Sequence, residues 1–311
     1  MQITLHGGEP TLIGAARLKR MIASAREQLG PRLSRIAMQT NGTLIDEAWV
    51  DVLKQCDVQT SISVDGPAHV HDSVRVDHFG RGSHAATLRG IKLLQAAGIF
   101  GGVITVINPA QSGIECYRFL RSEGIDHMNF LPPDATHDTK SSLYGAFGET
   151  PVADYLIPIF DAWYEEDNPQ INIRLFMSIL TMLLGGEPAV DSLGNPQMSY
   201  LIIESDGSIQ ALDTLRICQE GLPDTGLNVS THGFDDLAMG FPLAHRLVHE
   251  GIPSCTTCRR CPEHRVCGGG YLPHRYSRLS AFDNPSVWCS DIMKLLRHIR
   301  RKTGIEHVAL N

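Results

Sequence analysis

No stretch of the 311 residues reaches the roughly 18 uninterrupted apolar residues of a membrane span, so no membrane partner is expected. The opening MQITLHGGEP lacks the basic and apolar stretches of a secretory signal, and the expected compartment is the cytoplasm. Positive charge is short as well: 27 Lys and Arg against 34 Asp and Glu leave a net charge of −7. Nucleic acid is therefore not an expected partner, and the one basic cluster, Arg297 to Lys302, reads as the solvated face of a terminal helix. Neither an internal repeat nor a low-complexity tract occurs. What is present, 42% hydrophobic and 20% charged residues, excludes a disordered chain and suits one large domain with an appendage, or two domains.

Residues 1–135 alternate short apolar runs with amphipathic segments. The runs are Gln2 to Leu5, Ile36 to Thr40, Val58 to Val64, Gly102 to Ile107 and His127 to Leu131. Between them lie helical patterns, the clearest being Leu18, Met21, Ile22, Ala25 and Leu29 at spacings of three and four. Repeated strand–helix order predicts an α/β fold with a parallel sheet or barrel. The runs end in HGGEP, TNGT, SVDGP, INP and LPP, all at the C-terminal edge of such a sheet, where these folds bind ligands. A strand at the very start and only five in all suggest that an N-terminal strand–helix unit is missing. Residues 136–200 read as a helical bridge, with helices around Pro151 to Tyr164 and Phe176 to Leu184. From 201 to 311 come a hairpin on the Asp206-Gly207 turn signal, a cysteine-rich region and a closing helix, Asp291 to Lys302.

Five of the eight cysteines, Cys255, Cys258, Cys261, Cys267 and Cys289, fall within 35 residues. In a cytosolic chain such a cluster points to metal rather than to disulfides. Thiolates from short loops suit a tetrahedral zinc or a [4Fe-4S] cluster. Zinc sites usually show two paired knuckles, whereas one compact run with a distant fifth cysteine is closer to ferredoxin spacing. Gly268, Gly269 and Gly270 fit a backbone folded tightly past a cluster. The HGGEP loop has an esterase reading that fails, because no G-x-S-x-G occurs. It also has a reading as a Gly-Gly turn approaching a zwitterion, with Glu9 receiving the ammonium group. Asn41-Gly42 and Asp65-Gly66 are equally ordinary turn dipeptides, and Arg75 suits either a carboxylate ligand or a surface ion pair.

Taken together, LHGGEP, MQTNGTLID, SISVDGP with Arg75, GRGS, CxxCxxxxxCGGG and a final cysteine resemble a radical SAM enzyme with a C-terminal SPASM domain. The stretches ESDGSIQALDTL, CRRCPEHRVCGGGYLPHRYS and FDNPSVWCSDI resemble its FxsB-type branch of peptide maturases. The resemblance implies a partial (β/α) barrel at 1–135 and an auxiliary-cluster domain at 201–311. It implies that Gly7, Gly8 and Glu9 hold the amino group of S-adenosylmethionine, that Thr40 and Asn41 line the same pocket, and that Ser63 and Asp65 face its ribose or methionine end. Arg75 would approach the carboxylate, with Leu131 and Pro132 near the adenine.

By the same resemblance Cys258, Cys261, Cys267 and Cys289 bind one auxiliary [4Fe-4S] cluster, with Cys255 spare. Tyr271 stands where many relatives have a cysteine for a second auxiliary cluster, which is expected to be absent. The CxxxCxxC loop that binds the catalytic cluster does not occur. S-adenosylmethionine and that second [4Fe-4S] cluster are therefore expected only in an intact chain, and these residues alone are expected to be inactive. The implied activity is a cyclophane-type crosslink, Cβ to aromatic ring, in a small ribosomally made precursor peptide, with a reductant protein as second partner. Asp213 is the candidate general base, or merely a hairpin-end cap, and Tyr271 and His274 are candidate peptide contacts. Two alternatives stand beside it. One is formylglycine formation of the anaerobic sulfatase-maturating type, against which the missing second auxiliary cluster speaks. The other is a non-enzymatic iron-sulfur or zinc protein that binds a peptide.

Overall fold

The computed structural model describes residues 1–194, 200–237, 246–247 and 251–305. The chain divides into two compact units, 1–131 with 165–173, and 132–164 with the residues from 174 onward. The stretch 136–200 is thus shared between them, and its residues 195–199 lie outside the described residues.

In the first unit the strands and helices alternate: β1 (Gln2–Leu5), α1 (Ala15–Leu29), β2 (Arg35–Thr40), α2 (Glu47–Gln55), β3 (Val58–Ser63), α3 (His84–Ala97), β4 (Phe100–Val106), α4 (Gly113–Ser122) and β5 (His127–Leu131). A sixth strand, β6 (Asn172–Ile173), completes a parallel sheet in the order β1 to β6. The expected count of five is corrected here: two residues are too few to show a strand period. Local chemistry sets the helix ends. Asp46 accepts from Trp49 N–H at 2.9 Å to start α2, and Asp72 accepts from His84 N–H at 2.8 Å to start α3. Gly90 lets α3 lie against the strand ends, because a Cβ there would stand 2.4 Å from the Gly42 carbonyl oxygen.

Register makes the two sheet faces different. Ile36, Met38, Val58, Ile62, Val103, Met128 and Phe130 are buried. On the other face, Gln39 neighbours Ser61, Ser61 neighbours Gly102, Ser63 neighbours Ile104, and Ile104 neighbours Asn129. A parallel sheet covered by helices on both faces would be apolar on both. Here one face is small and polar, as in the interior of a barrel that binds a polar ligand.

The second unit contains α5 (Pro151–Glu166, whose last two residues belong to the first unit), α6 (Arg174–Leu183) and a three-stranded antiparallel sheet. The sheet's strands are β7 (Ile202–Ile203), β8 (Ser208–Gln210) and β9 (Asp224–Asn228), and the closing helix α7 is Cys289–Thr303. Gly207, at φ +84°, makes the hairpin turn between β7 and β8. The sheet covers a core that includes Ile209, Ala211, Leu212, Leu215 and Leu227. The closing helix is tied to α5 by Asp291, which accepts from Val152 and Ala153 N–H at 2.8 and 3.0 Å. No helix among the described residues is long and apolar enough to cross a membrane.

Candidate functional site

At the C-terminal edge of the first unit's sheet, the loop after β1 turns on Gly7 and Gly8, at φ +75° and +47°. A Cβ at either would meet no atom within 4 Å, so the turn borders open space that a ligand can enter. Glu9 uses one of its oxygens fully and half of the other. One carboxylate oxygen accepts from Thr11 N–H at 3.0 Å and from the Thr11 and Thr40 hydroxyls at 2.5 Å, and the other accepts Asn41 N–H at 2.8 Å. That second oxygen still has a lone pair for an ammonium group. Glu9 therefore stitches the ends of β1 and β2 together as well as facing the loop.

The remaining strand-end residues are joined to one another. Thr40 Oγ1 also accepts Gly42 N–H at 3.1 Å, and Asn41 Oδ1 accepts Thr43 N–H and hydroxyl at 2.9 and 2.8 Å. The Ser63 hydroxyl accepts from Gln39 Nε2 at 2.9 Å. Asp65, buried, takes a two-point contact from Arg75 and the Val106 N–H at 2.9 Å. Asp65 and Arg75 thus shape the loop as a pair, part-buried rather than on the surface. Below them His71 Nδ1 accepts Asp65 N–H at 3.3 Å and Nε2 lies 3.0 Å from Ser83 Oγ. Burial pulls this imidazole down to about 4, and the Asp65 carboxylate opposes that only in part.

Leu131 ends β5 half-buried. Two residues earlier on the same face stands Asn129, 8% exposed, whose Oδ1 has no hydrogen-bond partner. Sequence reasoning missed it. The signal was a single carboxamide inside the otherwise apolar MNFL of a strand. An orphaned acceptor on the polar face is a further ligand contact candidate.

In the second unit the five cysteines are free thiols carried on short pieces. Cys255 caps a one-turn helix, Thr256–Arg259, that contains Cys258, and Cys267 ends another, His264–Cys267. Gly268, Gly269 and Gly270 all have positive φ, and a Cβ at Gly270 would stand 2.7 Å from Ser286 Cβ. Their fold aims the Gly269 and Gly270 N–H groups at the Cys267 sulfur. The thiols also sense one another's charge: Cys258 with Cys255, Cys267 and Cys289, and Cys267 with Cys289 and Cys261. Burial pushes Cys258 and Cys267 up to about 12, and a bound cationic metal would favour their thiolates.

A tetrahedral zinc holds its thiolates about a single ion, whereas in a four-iron cluster each thiolate holds its own iron. Two buried contacts fix the frame: Arg300 makes a two-point pair with Glu263 at 2.9 and 3.0 Å, and Trp288 Nε1 donates to Pro133 O at 3.1 Å. Lys140 donates to Val287 O at 2.6 Å, beside Cys289.

Asp213 opens a short 3-10 helix, Asp213–Ile217. Its Oδ1 accepts Thr214 N–H at 2.8 Å, and Tyr271 donates to Thr214 Oγ1 at 3.0 Å. His274 is buried 3.5 Å from Asp134.

The radical SAM superfamily model matches residues 2–113. A serine-type anaerobic sulfatase-maturating enzyme of Klebsiella pneumoniae is 31% identical over 290 residues, 86% of this chain and 71% of that protein. A cysteine-type anaerobic sulfatase-maturating enzyme of Clostridium novyi (strain NT) is 24% identical over 91% of this chain and 76% of its own. The solved structure of anSMEcpe with bound AdoMet and Kp18Cys peptide superimposes with a TM-score of 0.86, at 21% identity, over 97% of this chain and 83% of that one. These relatives overturn the expected cyclophane-forming activity. The C-terminal motifs behind that expectation, ESDGSIQALDTL, CRRCPEHRVCGGGYLPHRYS and FDNPSVWCSDI, are silent on what is done to the peptide.

Proposed function

Because the chain belongs to the radical SAM superfamily and, within it, to the family of the anaerobic sulfatase-maturating enzymes, we propose that it serves to oxidise a cysteine or serine of a peptide substrate to formylglycine. The observation that carries this reading is the 31% identity, over most of both chains, to a serine-type maturating enzyme. Bound S-adenosylmethionine with a reduced catalytic cluster, for which these residues carry no CxxxCxxC loop, would supply removal of a substrate Cβ hydrogen atom, the auxiliary cluster would accept the second electron of the oxidation, and a reductant protein would be the electron source.

The chain's own residues have separable tasks in this reading. The Gly7-Gly8 turn and the open side of the Glu9 carboxylate bind the cofactor's ammonium group. Thr40 and Asn41 keep Glu9 in place, and the Asp65–Arg75 pair with His71 keeps the β3 loop open beside it. Ser63, Leu131 and Asn129 line the polar face on which the rest of the cofactor lies. Cys258, Cys261, Cys267 and Cys289 hold one auxiliary [4Fe-4S] cluster, with Cys255 within reach of the same group. This reading includes no second auxiliary cluster at Tyr271, which packs on a core containing Ala211 and Leu212. Asp213 takes the substrate proton at Oδ2, the oxygen that its Thr214 contacts leave open.

Reduced protein from its native source, given S-adenosylmethionine and a peptide bearing one reactive serine or cysteine, tests this. Mass spectrometry is expected to show an aldehyde at that residue, a loss of two hydrogens for serine. An unmodified or crosslinked peptide would overturn the proposal.

A further inference from the structure

Among the described residues Arg275 is the one Lys or Arg that is buried, at 1% exposure. Its guanidinium donates from Nε and Nη2 to Phe282 O at 3.2 and 2.9 Å. Nη2 also reaches Pro253 O at 2.5 Å, and Nη1 reaches Ile252 O at 3.4 Å. These carbonyls take four of its five N–H groups and leave its charge unanswered. No carboxylate stands at ion-pair distance among the described residues, in contrast to the Glu263–Arg300 and Asp65–Arg75 pairs. A buried cation is costly unless an anion faces it.

The groups in position to supply that anion are sulfurs. Arg275 Cδ and Cys258 Sγ flank Gly269, lying 3.8 and 3.7 Å from where a Cβ on that glycine would be. Burial draws the guanidinium's pKa down, and charge on Cys258, then Cys255, then Asp283 pushes it back. As neutral thiols the cysteines cannot do this. As thiolates around a [4Fe-4S] core they form an anion, and a more negative one after reduction.

We infer that Arg275 is the buried counter-cation of the auxiliary cluster, a positioning residue that stabilises its reduced state and so raises its readiness to take an electron. The inference rests on the cluster proposed above. It adds a task to a residue that also pins Ile252 and Pro253, just ahead of Cys255, and the test must tell charge from pinning.

Anaerobically reconstituted full chains carrying Arg275→Lys or Arg275→Gln are compared with the unaltered protein. Iron and sulfide per chain and an EPR-monitored redox titration are the readouts. Arg275→Gln is expected to keep its iron while the reduced-to-oxidised ratio at a fixed potential falls at least tenfold, about 59 mV for a one-electron couple. Arg275→Lys is expected to keep most of the original potential. An unshifted potential in Arg275→Gln, or an equal shift in both variants, overturns the counter-cation role. Equal loss of iron from both would make Arg275 a structural pin and also overturn it. Zinc without sulfide in the unaltered protein would instead overturn the cluster itself, and the inference with it.

Discussion

At the scale of single residues, the strand-end site consists of side chains that hold one another before they hold a ligand. His71 is the clearest pH-sensitive member, since burial lowers it to about 4 from an ordinary 6.5. Between those values the unfolded chain takes up a proton that the folded chain refuses. Stability is therefore full above pH 6.5 and declines as the pH falls toward 4, by about 2 kcal/mol after allowance for screening. Urea midpoints across that window are expected to fall in the unaltered protein and to stay flatter in His71→Gln, whereas parallel profiles would contradict the assignment. Glu9→Gln places an amide NH₂ among groups that donate to Glu9. It is expected to cost about 1–2 kcal/mol of unfolding free energy and, where the variant is made in the native, cluster-loaded protein, to weaken S-adenosylmethionine binding at least tenfold by calorimetry. None of these partnerships was legible in the sequence. The ten-residue gap between Asp65 and Arg75 carries no period, and Glu9 meets Thr40 only because β1 and β2 are adjacent.

At the scale of elements, the cysteine-rich pieces are too short to be stable alone and depend on α7 for their position. That helix supplies Cys289 at its first turn and Arg300 near its last, and Arg300 grips Glu263 between Cys261 and Cys267. Removing one partner of a buried pair strands the other, so Arg300→Met is expected to cost about 3 kcal/mol. Iron content after reconstitution should fall with it, and unchanged thermal unfolding would contradict the anchoring role. Gly270→Ala would force a Cβ to 2.7 Å from Ser286 at a φ of +76°. It is expected to lose iron even where the secondary structure is kept by circular dichroism. Five strands, the helices α5, α6 and α7 of the second unit and the hairpin at Asp206-Gly207 were legible because each is long enough to show its period or its turn chemistry. β6 was not, being two residues that gain their partners only from β5. Nor was Arg275 legible, since its carbonyl partners and the sulfurs near it meet it only through the folded loop.

For the whole molecule, the fold is that of an AdoMet-binding structure with a TM-score of 0.86, and the family follows from identity over most of the chain. The 311 residues span about three quarters of the relatives they match. Sequence motifs placed the chain among radical SAM proteins because glycine turns and cysteine spacing are set by the groups they bind. The product was not readable from them, as peptide chemistry depends on which substrate carbon meets the cofactor. The most direct test of the formylglycine reading follows that carbon. Native protein is given a peptide whose reactive cysteine or serine is deuterated at Cβ, and both products are weighed. The account predicts deuterium in 5′-deoxyadenosine and an aldehyde on the same peptide residue. Deuterium retained in the peptide, or transferred without an aldehyde, would contradict it.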